Sequence, residues 1–174
     1  ELIEKLDPER VTEIMNRCFE VLEEIIVVRG GEINQYLGDC VMAVPVASRV
    51  RRAIPDAFIG WAVDPRCADV LDTDRLVDLR YDVPWEAWKK EKVGPIAQLR
   101  HYLRLREYKF DVGLDLQGHS KTASCLRLSG ATKRYSARAS DGFARVLNAL
   151  APTKGVVHTV DRNLETLAAA FESD

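Results

Sequence analysis

Apolar side chains along this chain repeat with two periods, one near 3.6 residues and one of 2, and the alternation between them outlines a fold. Asp7-Pro8-Glu9 supplies an N-cap, a proline at the first helical position and an early acid. Val11, Ile14, Met15, Cys18, Leu22, Ile25 and Ile26 then recur at helical spacing, which predicts a long amphipathic helix ending at Gly30-Gly31. Glu32 to Leu37 alternates polar and apolar residues and predicts a strand, and Val27-Val28 suit a short strand of their own. Beyond Asp39 helices and short apolar runs take turns. The pattern predicts helices over 41–54, 96–108, 121–128, 142–150 and 161–171, with strands over 58–63, 76–79 and 110–116 and a short one near 133–135. Strands separated by helices specify an α/β fold, a Rossmann-like parallel sheet flanked by helices over roughly 38–174, with the long amphipathic helix in front of it. Glu32 to Leu37 would then be the first strand of that sheet, and no repeat or low-complexity linker interrupts the series.

Composition narrows the classes without naming one. The 174 residues suffice for one well-buried core, or for one domain with a helical appendage. Lys and Arg number 25 against 27 Asp and Glu, so no whole-molecule field draws nucleic acid or an anionic membrane, and recognition by charge must be local. Cys18, Cys40, Cys67 and Cys125 are widely spaced and the three histidines do not join them, which argues against a zinc site or a disulfide framework. Reduced cysteines packed as small core residues fit better, and no metal or cofactor is expected. No apolar run reaches the roughly 20 residues that span a bilayer, and no signal peptide precedes the first helix. The expectation is a soluble, cytoplasmic protein.

Candidate chemistry gathers at four places. Gly38-Asp39 puts a carboxylate after a glycine in a tight turn, where it can ligate a metal, act as a general base or simply cap the following helix. Trp85, Trp88, Lys89, Lys90 and Lys92 mix indole faces with cations suited to carboxylates and phosphates, and equally suit a solvated amphipathic turn. Asp115 to Lys121 spans a strand-to-helix junction, the side of an open α/β sheet on which ligands bind, so His119 and Lys121 are candidates to meet a ligand oxygen; a capped turn is the alternative. Arg134 and Arg138 follow a glycine turn and are candidates for the same cleft, whereas Arg100, Arg104 and Arg106 read as a solvated face with Leu99, Leu103 and Leu105 buried behind it.

Two family resemblances rest on separate stretches. "LDPERVTEIMNRCFEVLEEI" with "GGEINQYLGDCVMAVP", residues 6–45, resembles the first helix and hairpin of class III adenylate/guanylate cyclases. That likeness implies that Asp39 matches the second of two metal-holding aspartates and that Gln35 stands where a base-selecting lysine often lies. "GDCVMAVPVASRVRRAIPDAFIGWAV", "YKFDVGLDLQGHSKTASCLRLSGATKR" and "HTVDRNLE" are similar, in order, to the ADP-heptose:lipopolysaccharide heptosyltransferases of glycosyltransferase family nine. That likeness covers about 38–171 and implies the N-terminal, acceptor-binding half of a GT-B enzyme. It casts Asp39 as the base that deprotonates the acceptor hydroxyl, and Lys89, Lys90, His119, Lys121 and Arg138 as contacts to an anionic saccharide. Together the resemblances divide the chain at 37/38 and imply a natural fusion or an engineered chimera. They also imply no turnover from this chain alone, for want of a donor-binding half, and an apolar face open to self-association. A non-catalytic chimeric fold and a cyclase-related fragment are the alternative readings.

Overall fold

The computed structural model describes residues 35–70, 76–153, 155–156 and 158–172. The helix predicted from Asp7, the possible strand at Val27-Val28 and positions 32–34 lie outside these residues. The first described element is helix α1, Gln35–Ala53. Gln35 to Leu37 therefore belong to a helix and not to the predicted strand. The reason is visible in the spacing, since apolar positions 36, 40, 43 and 47 continue one helical stripe, and that longer signal outweighs six residues of alternation. Residues 40–44 are helical as the transferase pattern requires; the cyclase pattern needs a hairpin strand there. Asp39 falls in the second turn of α1, so it does not cap that helix.

Parallel strands follow. Strand β1, Gly60–Val63, pairs with β2, Leu79–Asp82, in the register Gly60 to Leu79 and Val63 to Asp82. Strand β2 begins three residues later than the 76–79 expected from the sequence. Asp78 is taken up at the strand entrance, where its carboxylate accepts the Ile59 amide and the Arg51 guanidinium, both at 2.7 Å. Helices α2, Trp85–Lys90, and α3, Pro95–Leu103, lead through a 3-10 turn, Arg104–Tyr108, to β3, Val112–Asp115. Helix α4, Ser120–Leu128, then connects to β4, Lys133–Ser136, which pairs in parallel with β3. The helix predicted over 142–150 is cut short. It forms α5, Gly142–Leu147, and its last residues become β5, Ala149–Leu150, in parallel with β4. Helix α6, Thr159–Glu172, closes the described chain.

Among the described residues the strands thus form two parallel groups, β1–β2 and β3–β4–β5. Two contacts tie the groups together. A side chain at Gly60 would collide with the Phe110 ring, and Phe110 stacks with Phe58 and Tyr108 at centroid distances of 6.1 and 5.8 Å. Helices α1 and α6 pack through small residues, Ala43, Ala47 and Ala170, with Val46, Val160 and Leu167. There Asn163 donates from Nδ2 to the Met42 carbonyl at 3.1 Å, one turn from Asp39. Pro45 lies inside α1 and offers no amide, which leaves the Val41 carbonyl without its helical donor beside that brace. A second buried cluster joins Val83, Tyr102, Leu105 and Cys125, and hence β2, α3 and α4. Burying a side chain such as fully enclosed Val83 stabilises by roughly 1.5–3 kcal/mol. Cys67 and Cys125 are buried and form no disulfide, and burial pushes the Cys125 thiol up to about 12. No helix of the described residues is long and apolar enough to cross a membrane.

Candidate acceptor site

The carboxyl ends of β2, β3 and β4 deliver three turns to one place. After β3, buried Asp115 accepts the amides of Gln117 and Gly118 at 3.1 and 2.9 Å and the Ser136 hydroxyl at 3.4 Å. Burial pushes its carboxyl up, and these hydrogen bonds with that of Thr122 offset only part of the shift. Gly118 takes a φ of +71°, and an added Cβ would strike the Arg138 carbonyl, so only glycine turns the chain here without strain. His119 follows at the start of α4. Its amide donates to Thr122 Oγ1 at 3.2 Å, and its Nδ1 lies 2.7 Å from the Ser140 hydroxyl.

After β4, Asp141 holds two helices at once. Its carboxylate accepts the Ser120 amide at 3.0 Å and hydroxyl at 2.5 Å from α4, and the Ala144 amide at 2.8 Å from α5. The Ser120 hydroxyl and these amides hold its carboxyl below the usual range. Such an arrangement satisfies amides at both helix starts that would otherwise lack acceptors.

After β2, α2 and α3 form the opposite wall. Tyr81 donates to the His101 carbonyl at 2.6 Å, His101 Nε2 lies 2.9 Å from the Asp82 carbonyl, and Trp85 Nε1 donates to Tyr102 Oη at 2.9 Å. Trp88 stands edge-on to both His101 and Tyr102 at 5.2 and 5.9 Å. Desolvation pushes the Tyr102 phenol up to about 12, so at neutral pH it remains a neutral hydrogen-bond partner. Gln98 Nε2 closes the α2–α3 turn on the Val93 carbonyl at 2.8 Å.

Between these walls lies an open cleft of about 750 Å³, lined by Trp85, Trp88, Lys89, Lys92, Gln98, His119, Ser120, Lys121 and Asp141 among others. Lys121 Nζ sits 5.3 Å from the centre of the Trp85 ring, so the cation from α4 meets the indole from α2 across the cleft. Of the residues singled out in the sequence, Trp85, Trp88, Lys89, Lys92, His119 and Lys121 come together on this lining. Lys90 is exposed next to Lys89 on α2 but does not line the cleft. Arg138 is engaged at the rim, where its Nε donates to the Gln117 carbonyl at 2.8 Å. Arg134 turns away, its guanidinium bonded to the Ala131 carbonyl. Asp39 is placed in α1 by its backbone, and its side chain lies outside the described set.

Parallel strands, helical crossovers and a cleft at the strand ends are now joined by comparison. Two solved structures, of the E. coli heptosyltransferase WaaC with ADP and with ADP-2-deoxy-2-fluoro heptose, align with 79% of this chain at TM-scores of 0.66 and 0.67. The fold is that of a heptosyltransferase. At 19% identity the likeness concerns the fold alone, and the alignments cover 45% and 46% of those chains. Over 92 residues, 53% of this chain, the sequence is also 30% identical to lipopolysaccharide heptosyltransferase 1 of Campylobacter coli. The matched part is 25% of that relative, so this chain spans about a quarter of its length and under half of the solved structures. No protein-family model matches the chain.

Three features of the structure escape sequence reasoning. Asp141 and Ser120 meet across 21 residues, and nothing in either local pattern announces that contact. Gln98 sits on a helix face that reads as solvated. A second groove of about 440 Å³, lined by Arg106, Lys109, Phe110, Gly130 and Thr132, lies at the opposite, amino ends of β3 and β4. Among the described residues no group of three or more His, Cys, Asp or Glu side chains is placed to hold a metal ion.

Proposed function

We propose that residues 38–174 are the acceptor-binding half of a heptosyltransferase-like glycosyltransferase, and that the cleft between α2–α3 and the start of α4 receives an anionic saccharide. One observation carries the reading: Lys89 and Lys121, more than thirty residues apart, reach one cleft at the strand ends together with His119 and two indole rings. Ammonium groups facing an open cleft pair with carboxylates and phosphates, and sugar faces pack against indole. Lys90 and Arg138 flank this lining and extend the basic rim. Asp39 is the base that takes the proton of the acceptor hydroxyl as its oxygen bonds to the anomeric carbon of the donor sugar and the donor's nucleoside diphosphate departs with the electrons of the broken C–O bond. The cyclase alternative has no observation in its favour, because residues 40–44 continue a helix.

The test is a titration of the chain with a soluble inner-core disaccharide carrying carboxylates and a phosphate, followed by tryptophan fluorescence. Saturable quenching is expected, weakened roughly tenfold in Lys121→Ala, as for loss of one charge-assisted contact. No quenching, or quenching indifferent to Lys121→Ala and Lys89→Ala, contradicts the assignment.

A further inference from the structure

The groove at the amino ends of β3 and β4 brings three aromatic rings beside two cations, and the saccharide cleft uses none of them. Phe110 lines the groove and stacks with Phe58 and Tyr108, whose own rings lie 6.0 Å apart at an interplanar angle of 16°. Phe58 is 53% exposed and Tyr108 40% exposed, and neither belongs to a buried cluster. The stack therefore stands open to water on one side. Single exposed apolar residues are ordinary, but ring faces grouped beside a groove form a platform on which a planar ligand stacks.

The polar lining says what such a ligand carries. Arg106, Lys109 and Thr132 line the groove with Phe110 and Gly130, and no acid is among them. Arg106 Nε donates to the Leu128 carbonyl at 3.1 Å, which anchors the guanidinium, and an added Cβ at Gly130 would come within 3.0 Å of Arg106 Cγ. Lys109 takes a φ of 51° and a ψ of 50°, a left-handed conformation that glycine adopts without strain and lysine does not. Among the described residues the other non-glycine at positive φ is Lys92, which lines the saccharide cleft. At each opening an ammonium stands where the backbone alone favours glycine. We propose that the groove binds a nucleotide, its base stacked on the rings of Phe58, Tyr108 and Phe110 and its phosphate held by Arg106, Lys109 and the Thr132 hydroxyl. A volume of about 440 Å³ suits one small ligand, and a formal net charge of −2 provides no field to hold a longer nucleic-acid strand. The lining presents no carboxylate or side-chain amide to a base edge, so either purine is accepted. This site lies at the strand ends opposite the saccharide cleft and stands independently of it.

The experiment is a titration of the labelled full chain with guanosine 5′-monophosphate, followed by amide NMR. Saturable shifts are expected at Arg106, Lys109, Gly130 and Thr132, while guanosine alone and inorganic phosphate alone each bind roughly tenfold or more weakly. Tyr108→Ala lowers the affinity roughly tenfold, and Val146→Ala, at a 76% exposed position on α5, leaves it unchanged. Lys109→Gly separates a ligand contact from a favourable meeting of the lysine with the carbonyls of its own 3-10 turn. It lowers the affinity roughly tenfold with a urea midpoint close to the parent's, because relief of the left-handed backbone offsets a looser unfolded chain. The proposal is overturned by no shifts at these residues, by shifts gathered instead at Lys89, His119 and Lys121, or by full affinity in Lys109→Gly. It is overturned as well by phosphate binding as tightly as the nucleotide, which means an adventitious ion only, or by a single-stranded RNA oligonucleotide binding far more tightly than the mononucleotide.

Discussion

Asp64 and Asp115 close β1 and β3 in the same manner, buried at the carboxyl end of a strand with backbone amides on the carboxylate, yet they titrate in opposite directions. For Asp115 desolvation prevails and the folded state favours the proton, so stability is lost as the pH rises from the ordinary aspartate value through the raised one. For Asp64 burial also acts upward, but the Arg66 guanidinium at 2.9 Å, the Arg66 amide and the Glu86 amide outweigh it. Its carboxyl is held below the usual range, so its stabilisation is present above the ordinary aspartate pKa near 3.9 and is lost as the pH falls through the depressed value. Urea midpoints measured across acid pH should fall below about pH 4, and Asp64→Asn should flatten that fall while costing roughly 1–2 kcal/mol at neutral pH. An unchanged acid limb in the variant would assign the loss to other carboxylates. At this scale the sequence exposed His119 and Lys121, because a strand-to-helix junction marks a site by itself. It hid the role of Asp141, whose partner Ser120 lies 21 residues away, and it did not foretell that Arg134 turns back onto the nearby Ala131 carbonyl.

Among the elements, the strand-to-helix turn after β3 carries the cleft, and its shape hangs on Gly118. A methyl group there meets the Arg138 carbonyl at a φ that side chains avoid, so Gly118→Ala should cost about 2 kcal/mol or more in thermal or urea unfolding. The same change at Gly142, where an added Cβ meets nothing, should cost far less. Equal costs would mean that the turn relaxes. Long periodic helices were legible, as α1, α4 and α6 show. Boundaries were not, for identifiable reasons: Asp78 is drawn off to bind Ile59 and Arg51, which moves β2 along the chain, and Ala149–Leu150 gain a parallel partner in β4 that no local propensity foretells. Alternation misled over Gln35 to Leu37, because so short a polar–apolar run fits a helical turn equally well.

For the whole molecule, the α/β class and the position of the cleft at the strand ends were legible from alternating elements, and the heptosyltransferase-like fold agrees with them. The division of the strands into two parallel groups was not, since pairing partners are set by packing across the molecule and not by local pattern. The basic segment at 85–106 was visible as charge, but Leu99, expected buried behind Arg100 and Arg104, is exposed beside them. In the proposed function the lysine- and tryptophan-lined cleft, and not the groove at the other end of the strands, receives the anionic saccharide. Amide NMR of the labelled chain during titration with the inner-core disaccharide tests it directly. Shifts gathered at Lys89, Lys92, His119 and Lys121 are predicted, whereas shifts gathered at Arg106, Lys109, Gly130 and Thr132, or none at saturating saccharide, would contradict it.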